Sequence, residues 1–195
     1  MGDKSVTSIL FITGNEHKVE EANRILSPFG VRLEMLPKKK IEVQSSSLLR
    51  IAEYAAYMAA KKLKSPVLVE DSGLFIRALK GFPGPFSSYV HKTIGCEGIL
   101  KLLSGIEDRH AIFKCVVAFC SPSAGLHTFL GQSKGQISLY MRGHAGFGFD
   151  PIFVPYGEEL TFAEMLPEQK DRFSHRGAAF RAFGSWFSSK SMAKP

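Results

Sequence analysis

Apolar and polar positions change period several times along this 195-residue chain, and each change marks an element. Ile9-Leu10-Phe11-Ile12-Thr13 is an unbroken run that reads as a buried first strand, ended by Gly14-Asn15. From about Glu16 to Ser27, Val19, Ala22, Ile25, Leu26 and Phe29 share one helical face, with Glu20, Glu21 and Arg24 outside it. Asn15 suits the N-cap, and Pro28 with Gly30 closes the helix. Val31 to Leu36 alternates as a second strand. After Pro37 and a lysine loop comes Ile41-Glu42-Val43-Gln44. Ser45-Ser46-Ser47 then caps a helix to about Lys64, in which Ile51, Ala55, Ala59 and Leu63 recur at every fourth position. A face so rich in alanine implies close packing on a sheet. Val67-Leu68-Val69 forms a short buried strand that runs into Glu70-Asp71, and Ser72-Gly73 is expected to break it.

The second half changes character. Leu74 to Leu79 reads as a turn of helix, Gly81-Phe82-Pro83-Gly84-Pro85 as a rigid loop and Glu97 to Ser104 as a short amphipathic helix. Ala111 to Cys120 is a long strand, turned at Ser121 to Gly125 into Leu126-Leu130, with another strand over Gly135 to Met141. Arg142 to Pro151 alternates glycines with aromatics as a shaped loop. Ile152 to Pro155 is a brief strand, and a last helix spans about Ala178 to Ser188, with a frayed tail over about 189–195. The expected fold is α/β, a mixed central sheet flanked by helices. With no internal repeat and no linker, residues 1–195 read as a single domain.

Composition narrows the function classes. A net charge of +7 and a pI of about 9.4 favour polyanionic partners such as nucleic acid, nucleotides or phosphates, without choosing among them. Lys38-Lys39-Lys40 reads as a solvated loop. Three cysteines, Cys96, Cys115 and Cys120, do not make a secreted disulfide framework, and Cys115 and Cys120 fall on opposite faces of one strand. No apolar run reaches the roughly 18 residues of a membrane helix, and the first residues lack a signal-peptide layout. The expectation is a cytoplasmic protein.

Four stretches carry candidate chemistry, each beside a plainer reading. Val67 to Leu74 delivers two acids to the end of a buried strand, which suits a metal or phosphate site as well as a solvated strand end. Thr13-Gly14-Asn15-x-x-Lys18 lies at a strand-to-helix junction, where free backbone N–H groups and the helix dipole favour phosphate; a structural turn has the same pattern. Glu42 and the Glu70-Asp71 pair are candidate ligands for Mg²⁺, which takes one or two carboxylates together with water and phosphate oxygens. Only one of Glu70 and Asp71 faces a given side, and the pattern leaves open which. Phe147-Gly148-Phe149-Asp150 could stack and read a flat base, or be a tight turn over core phenylalanines. Ser174-His175-Arg176, with Lys170 before it, gathers donors at a helix start where cations oppose the dipole. Ser72 and His175 do not make a serine hydrolase, since no G-x-S-x-G surrounds Ser72.

Taken in order, Thr13-Gly14-Asn15-x-x-Lys18, Glu70-Asp71-Ser72-Gly73-Leu74, Gly81-Phe82-Pro83-Gly84-Pro85, Phe147-Gly148-Phe149-Asp150-Pro151, Thr161-Phe162-Ala163-Glu164-Met165 and Ser174-His175-Arg176 resemble the inosine triphosphate pyrophosphatase family, from about residue 8 to 187. The resemblance implies two lobes with the active-site cleft between them, a homodimer, and Mg²⁺-dependent hydrolysis of ITP, dITP and XTP to monophosphate and pyrophosphate. It implies no stable nucleic-acid partner. It implies that Thr13, Gly14, Asn15 and Lys18 bind phosphate, that Glu42 and Asp71 hold metal, and that Asp71 and Lys18 are catalytic. It further implies that Ser72, Phe147, Gly148, Phe149, Asp150, Lys170, His175 and Arg176 contact substrate, with Phe147 as the stacking ring and cationic donors suited to a 6-oxo purine. Many members of that family carry a lysine where Tyr54 aligns, and some where Ser88 aligns, so the resemblance does not carry over the phosphate contact those lysines make. The competing reading is a basic nucleotide- or RNA-binding module without hydrolytic activity.

Overall fold

The computed structural model describes residues 6–37 and 43–192. In chain order the elements are β1 (Thr7–Ile12), α1 (Glu16–Leu26), β2 (Val31–Leu36), α2 (Leu48–Leu63), β3 (Val67–Ile76), β4 (Pro83–Gly84), α3 (Ser87–Thr93), α4 (Gly95–Leu102), β5 (His110–Ser121), β6 (Gly125–Ile137), β7 (Phe153–Pro155), α5 (Pro167–Phe173) and α6 (His175–Met192). The strands form one mixed sheet in the order β2-β1-β3-β5-β6-β7, with β4 paired to β3 off this path. The first three strands are parallel, and the rest are antiparallel.

The chain leaves β1 for β2 on one side and returns from β2 to β3 on the other. Right-handed crossovers therefore place α1 and α2 on opposite faces of the sheet. The apolar clusters follow this division. Phe11, Leu68, Val117 and Phe119 pack with α1 and with Phe180 and Phe183 of α6. Val67, Val69, Val116 and Ala118 pack with Leu48 and the alanines of α2. A third cluster lies further along the sheet, where Leu74, Ile76, Phe113 and Ile137 meet α3, α4 and the segment around Phe149, Phe153 and Phe162. Cys115 and Cys120 fall in different clusters, as a period of two requires, and all three cysteines are free thiols.

Several expectations are corrected. Ser72-Gly73 does not break β3, which runs on through Ile76, so there is no turn of helix from Leu74. Gly73 is needed inside the strand because a β-carbon there would overlap the carbonyl of Gly84 in β4. The two short strands expected over 126–141 are one strand, β6, paired along its length with β5. Gly73, Gly131 and Gly135 admit close backbone approach within their strands. The helices α3 and α5 fall where no helix was expected, and α6 starts at His175 and continues to Met192, past the expected onset of fraying. Glu42 lies outside the described residues.

Gly131 of β6 faces the start of α6, and a β-carbon there would overlap the backbone oxygen of His175. This contact sets the height of α6 above the sheet, and with it the position of His175 and Arg176. Gly131→Val is expected to destabilise the chain by about 2 kcal/mol or more, the usual cost of overpacking, as read by denaturant unfolding.

Candidate active site

The turn after β1 is built by its own side chains. Asn15 caps α1, its side-chain oxygen accepting from the Lys18 N–H, and the Thr13 hydroxyl oxygen accepts from the Asn15 N–H at 3.2 Å. A β-carbon on Gly14 would meet nothing within 4 Å, so it would project into the open space over the helix start. Leu10 and Phe11 are in register with Val67 and Leu68. Continuing that register sets Thr13 and Gly14 beside Glu70 and Asp71. The phosphate-type turn and the two acids therefore meet beyond the carboxyl ends of parallel strands, the usual position of ligands in such sheets.

Alternation along β3 separates the acids. Glu70 points to the α1/α6 face and is fully buried. There it pairs with Lys18 Nζ at 2.5 Å and Arg176 Nη2 at 3.2 Å, and accepts from Cys115 Sγ at 3.3 Å. Burial opposes its charge, but Arg176 and Lys18 outweigh burial and hold the carboxyl well below the usual range. Burial, and then repulsion from the Glu70 charge, push the Cys115 thiol well up. Asp71 is half-buried and points to the α2 face. The apolar cluster on that face joins Leu48, the first residue of α2, to Val69 and Val116, so the start of the helix lies at the level of Asp71.

A buried charge ladder extends from Glu70. Arg176, in the first turn of α6, donates to Ser72 Oγ at 3.3 Å and to Glu21 Oε2 at 2.6 Å. Lys170 of α5 donates to Glu21 Oε1 at 2.5 Å and to Asp150 Oδ2 at 2.7 Å. Asp150 also accepts from the Phe147 N–H at 2.8 Å, which folds the aromatic loop back on itself. A β-carbon on Gly146 would overlap the Asp150 carboxylate. Burial raises Glu21, but Arg176 and Lys170 together bring it down to about 2. Asp150 goes the other way. Burial raises it beyond what Lys170 and the Phe147 N–H recover, with the Glu21 charge adding to the rise.

Phe147 stands over this ladder. Its ring stacks on His17 at 5.5 Å and 11°, with Lys170 Nζ and Arg176 Cζ each 5.1 Å from its centre. Phe149 is buried in the third cluster, edge-on to His91 at 5.2 Å, and Gly148 accepts from Cys96 Sγ. His175 is buried with its ring stacked on Phe113 at 4.5 Å. Burial and then the Arg176 charge drive its pKa well below the ordinary value, so it is a neutral imidazole. The expectation of a cationic donor at His175 is therefore corrected; Arg176 keeps its charge because, against burial, Glu70 and Glu21 raise its pKa further. Among the described residues, His175 Nδ1 and Arg176 Nε are buried without a hydrogen-bond partner, which invites an explanation at a binding site.

The structure thus brings Thr13, Gly14, Asn15, Lys18, Ser72, Phe147, Lys170 and Arg176 around one region. It sets Phe149 into the core behind it and commits Asp150 to holding Lys170 and the loop. Glu21 is the residue sequence reasoning missed. It was placed off the apolar face of α1, yet it is buried at the centre of the ladder. The signal was available: Glu21 follows Lys18 by three positions and so shares its side of the helix.

The comparisons decide the family. The sequence profile of the Ham1 family matches residues 9–186. The chain belongs to the Ham1 family. Among its Ham1 relatives, one named dITP/XTP pyrophosphatase from Methanopyrus kandleri is 51% identical over 179 residues, covering 92% of this chain and 95% of the relative. Another of that name, from Thermococcus kodakarensis, is 49% identical, covering 91% and 96%. A solved HAM1 protein from Coxiella burnetii superposes with a TM-score of 0.83 at 30% identity, over 93% of this chain and 98% of that one. The Ham1 protein of Staphylococcus aureus gives 0.82 at 27% identity, over 94% and 100%.

The depressed carboxyl of Glu21 has a consequence for the Ham1 fold in acid. Its stabilisation is fully present above the ordinary carboxyl value of 4.5 and is lost as pH falls toward about 2, a change of about 3 kcal/mol. Glu21→Gln is expected to be less stable at neutral pH and to lose less between pH 5 and pH 2 than the parent. Urea unfolding across that range measures both.

Proposed function

We propose that this chain hydrolyses non-standard purine nucleoside triphosphates, dITP, XTP and ITP, to the monophosphate and pyrophosphate, with Mg²⁺. The names of these relatives support the reaction. The observation in the structure that carries it is the ladder itself. It runs without interruption from Lys18, on the helix start suited to phosphate, to Lys170 and Asp150 under the Phe147 ring. One end suits an anionic chain and the other a flat base, which together describe a nucleotide.

The residues fit a hard cation by the chemistry of their donors. Glu21, Glu70 and Asp150 are engaged by buried cations; Asp71 lies within β3 on the opposite face, just beyond the end of β1. Among the described residues no group of three His, Cys, Asp or Glu gathers as a cage. Mg²⁺ needs none, since one or two carboxylates with water and phosphate oxygens suffice. Asp71 would hold the ion, and Glu42 is assigned as the second carboxylate from the sequence resemblance. When bound, Mg²⁺ neutralises triphosphate charge and polarises the phosphoryl group.

The chain's own residues supply the rest. Thr13, Asn15 and the first N–H groups of α1 hold phosphate oxygens. Lys18 turns from Glu70 toward the substrate, and Arg176 keeps Glu70 matched when it does. Water attacks phosphorus, a new P–O bond forms, and the bond to the pyrophosphate oxygen breaks with its electron pair leaving on pyrophosphate. The proton of water passes to a nearby carboxylate, for which Asp71 is the candidate. Stacking on Phe147 places the base near the Arg176 Nε–H. A 6-oxo purine accepts there, while the amino group of adenine would leave the donor unpaired, at about 1–3 kcal/mol.

We also assign a homodimer contact to the face where Phe82, Phe86 and Tyr89 lie exposed around the loop over 81–85. Three free thiols and a nucleotide-pool substrate support a cytoplasmic location, and among the described residues no helix is long and apolar enough to cross a membrane.

Pyrophosphate release should be fast from dITP, XTP and ITP, slow from ATP and GTP, and abolished by chelator. Equal rates on all five, or indifference to chelator, would sink the proposal. RNA binding without hydrolysis would favour the binding-module reading instead. Asp71→Asn should cost at least a hundredfold in turnover while remaining folded. Phe147→Ala should raise KM for dITP about tenfold, from a stacking contribution of about 1–3 kcal/mol.

A further inference from the structure

The α2 face of the sheet holds a second cation that the ladder does not use. Strand register puts Asp71 opposite Val116 and Gly73 opposite Lys114. Cross-strand partners share a face, and so do residues two apart. Lys114 therefore lies on the same face as Asp71, as its diagonal neighbour on β5. Such neighbours are about 7–8 Å apart at the backbone, within reach of a long side chain. The Val116 side chain, one step nearer α2, belongs to the apolar cluster under that helix. Lys114, one step beyond it, is half-buried at the edge of that cover.

No carboxylate pairs with Lys114 among the described residues; its ammonium rests 4.6 Å from the centre of the Phe75 ring. The contrast with the other face is sharp, where Lys18, Lys170 and Arg176 each hold buried acids. A cation over a partly exposed ring is held only weakly. A charge-assisted bond to a phosphate oxygen is worth more, so the contact with Phe75 exchanges readily for an anion.

We propose that Lys114 binds the leaving pyrophosphate end of the triphosphate on the Asp71 side of the sheet. This deepens the pyrophosphatase reading and rests on it. Lys114 and Lys18 then grip the phosphate chain from opposite faces of β3, and Lys114 offsets charge that develops on pyrophosphate as the bond breaks.

The test compares Lys114→Met, which keeps an unbranched chain over Phe75, with Lys114→Arg and the parent. Calorimetric titration in magnesium buffer reads binding of inorganic pyrophosphate and, separately, of inosine monophosphate. Lys114→Met should weaken pyrophosphate at least tenfold and inosine monophosphate less than twofold, with kcat/KM for dITP down at least thirtyfold. Lys114→Arg should recover most of the pyrophosphate affinity. Pyrophosphate binding within twofold of the parent, or equal weakening of both ligands, would overturn the assignment and leave Lys114 as a cover for Phe75. A parent protein without dITP hydrolysis would sink the pyrophosphatase reading itself.

Discussion

The site depends on a neutralised ladder of buried charge. Three carboxylates, Glu21, Glu70 and Asp150, face three cations, Lys18, Lys170 and Arg176, drawn from α1, β3, α5, α6 and the aromatic loop. An isolated charge at such depth is costly, and removal of one partner leaves another stranded. Each element is therefore held in place relative to the others by electrostatics as well as by packing. The pKa directions follow from position in the ladder. Glu21 has two cations and is strongly depressed, whereas Asp150 has one and a neighbouring acid, so burial prevails. His175 adds no charge to a region already balanced, and stays neutral.

The period of two along β3 divides labour between adjacent residues. Glu70 is drawn into the ladder because its face meets α1 and α6. Asp71, one residue on, faces the end of α2, where the apolar cover stops. A strand that carries adjacent acids past the end of a covering helix thus sets one carboxylate into the buried ladder and the other on the opposite face. The glycines complete the arrangement by admitting backbone where side chains would not fit. Gly131 seats the start of α6, Gly73 admits β4, and Gly146 admits the Asp150 carboxylate that braces the Phe147 loop.

The described part of the site is preorganised in its charges and adaptable in its aromatic lid. Phe147 lies on His17 and on the two cations, contacts that a base can replace by its own stacking. In the proposed reaction Lys18 likewise exchanges Glu70 for phosphate. Neither change requires the ladder to lose its balance, since Arg176 continues to oppose Glu70 and Glu21.

The sequence alone determined what depends on local pattern. The apolar run of β1, the Asn15 cap, the alanine stripe of α2 and the opposite facing of Glu70 and Asp71 all rest on neighbours a few positions apart. The order of short motifs was enough to indicate the family. Tertiary structure decided what long-range contacts govern. β3 and β6 run through their glycines because distant backbone approaches them there. Which of Glu70 and Asp71 is structural depended on Arg176, more than a hundred residues away in the chain. Glu21 lay hidden because a carboxylate on a helix reads as solvated until Lys170 and Arg176 are folded against it. The charge lost by His175 and the sharing of one sheet face by Lys114 and Asp71 are likewise properties of burial and register, which a linear pattern does not contain.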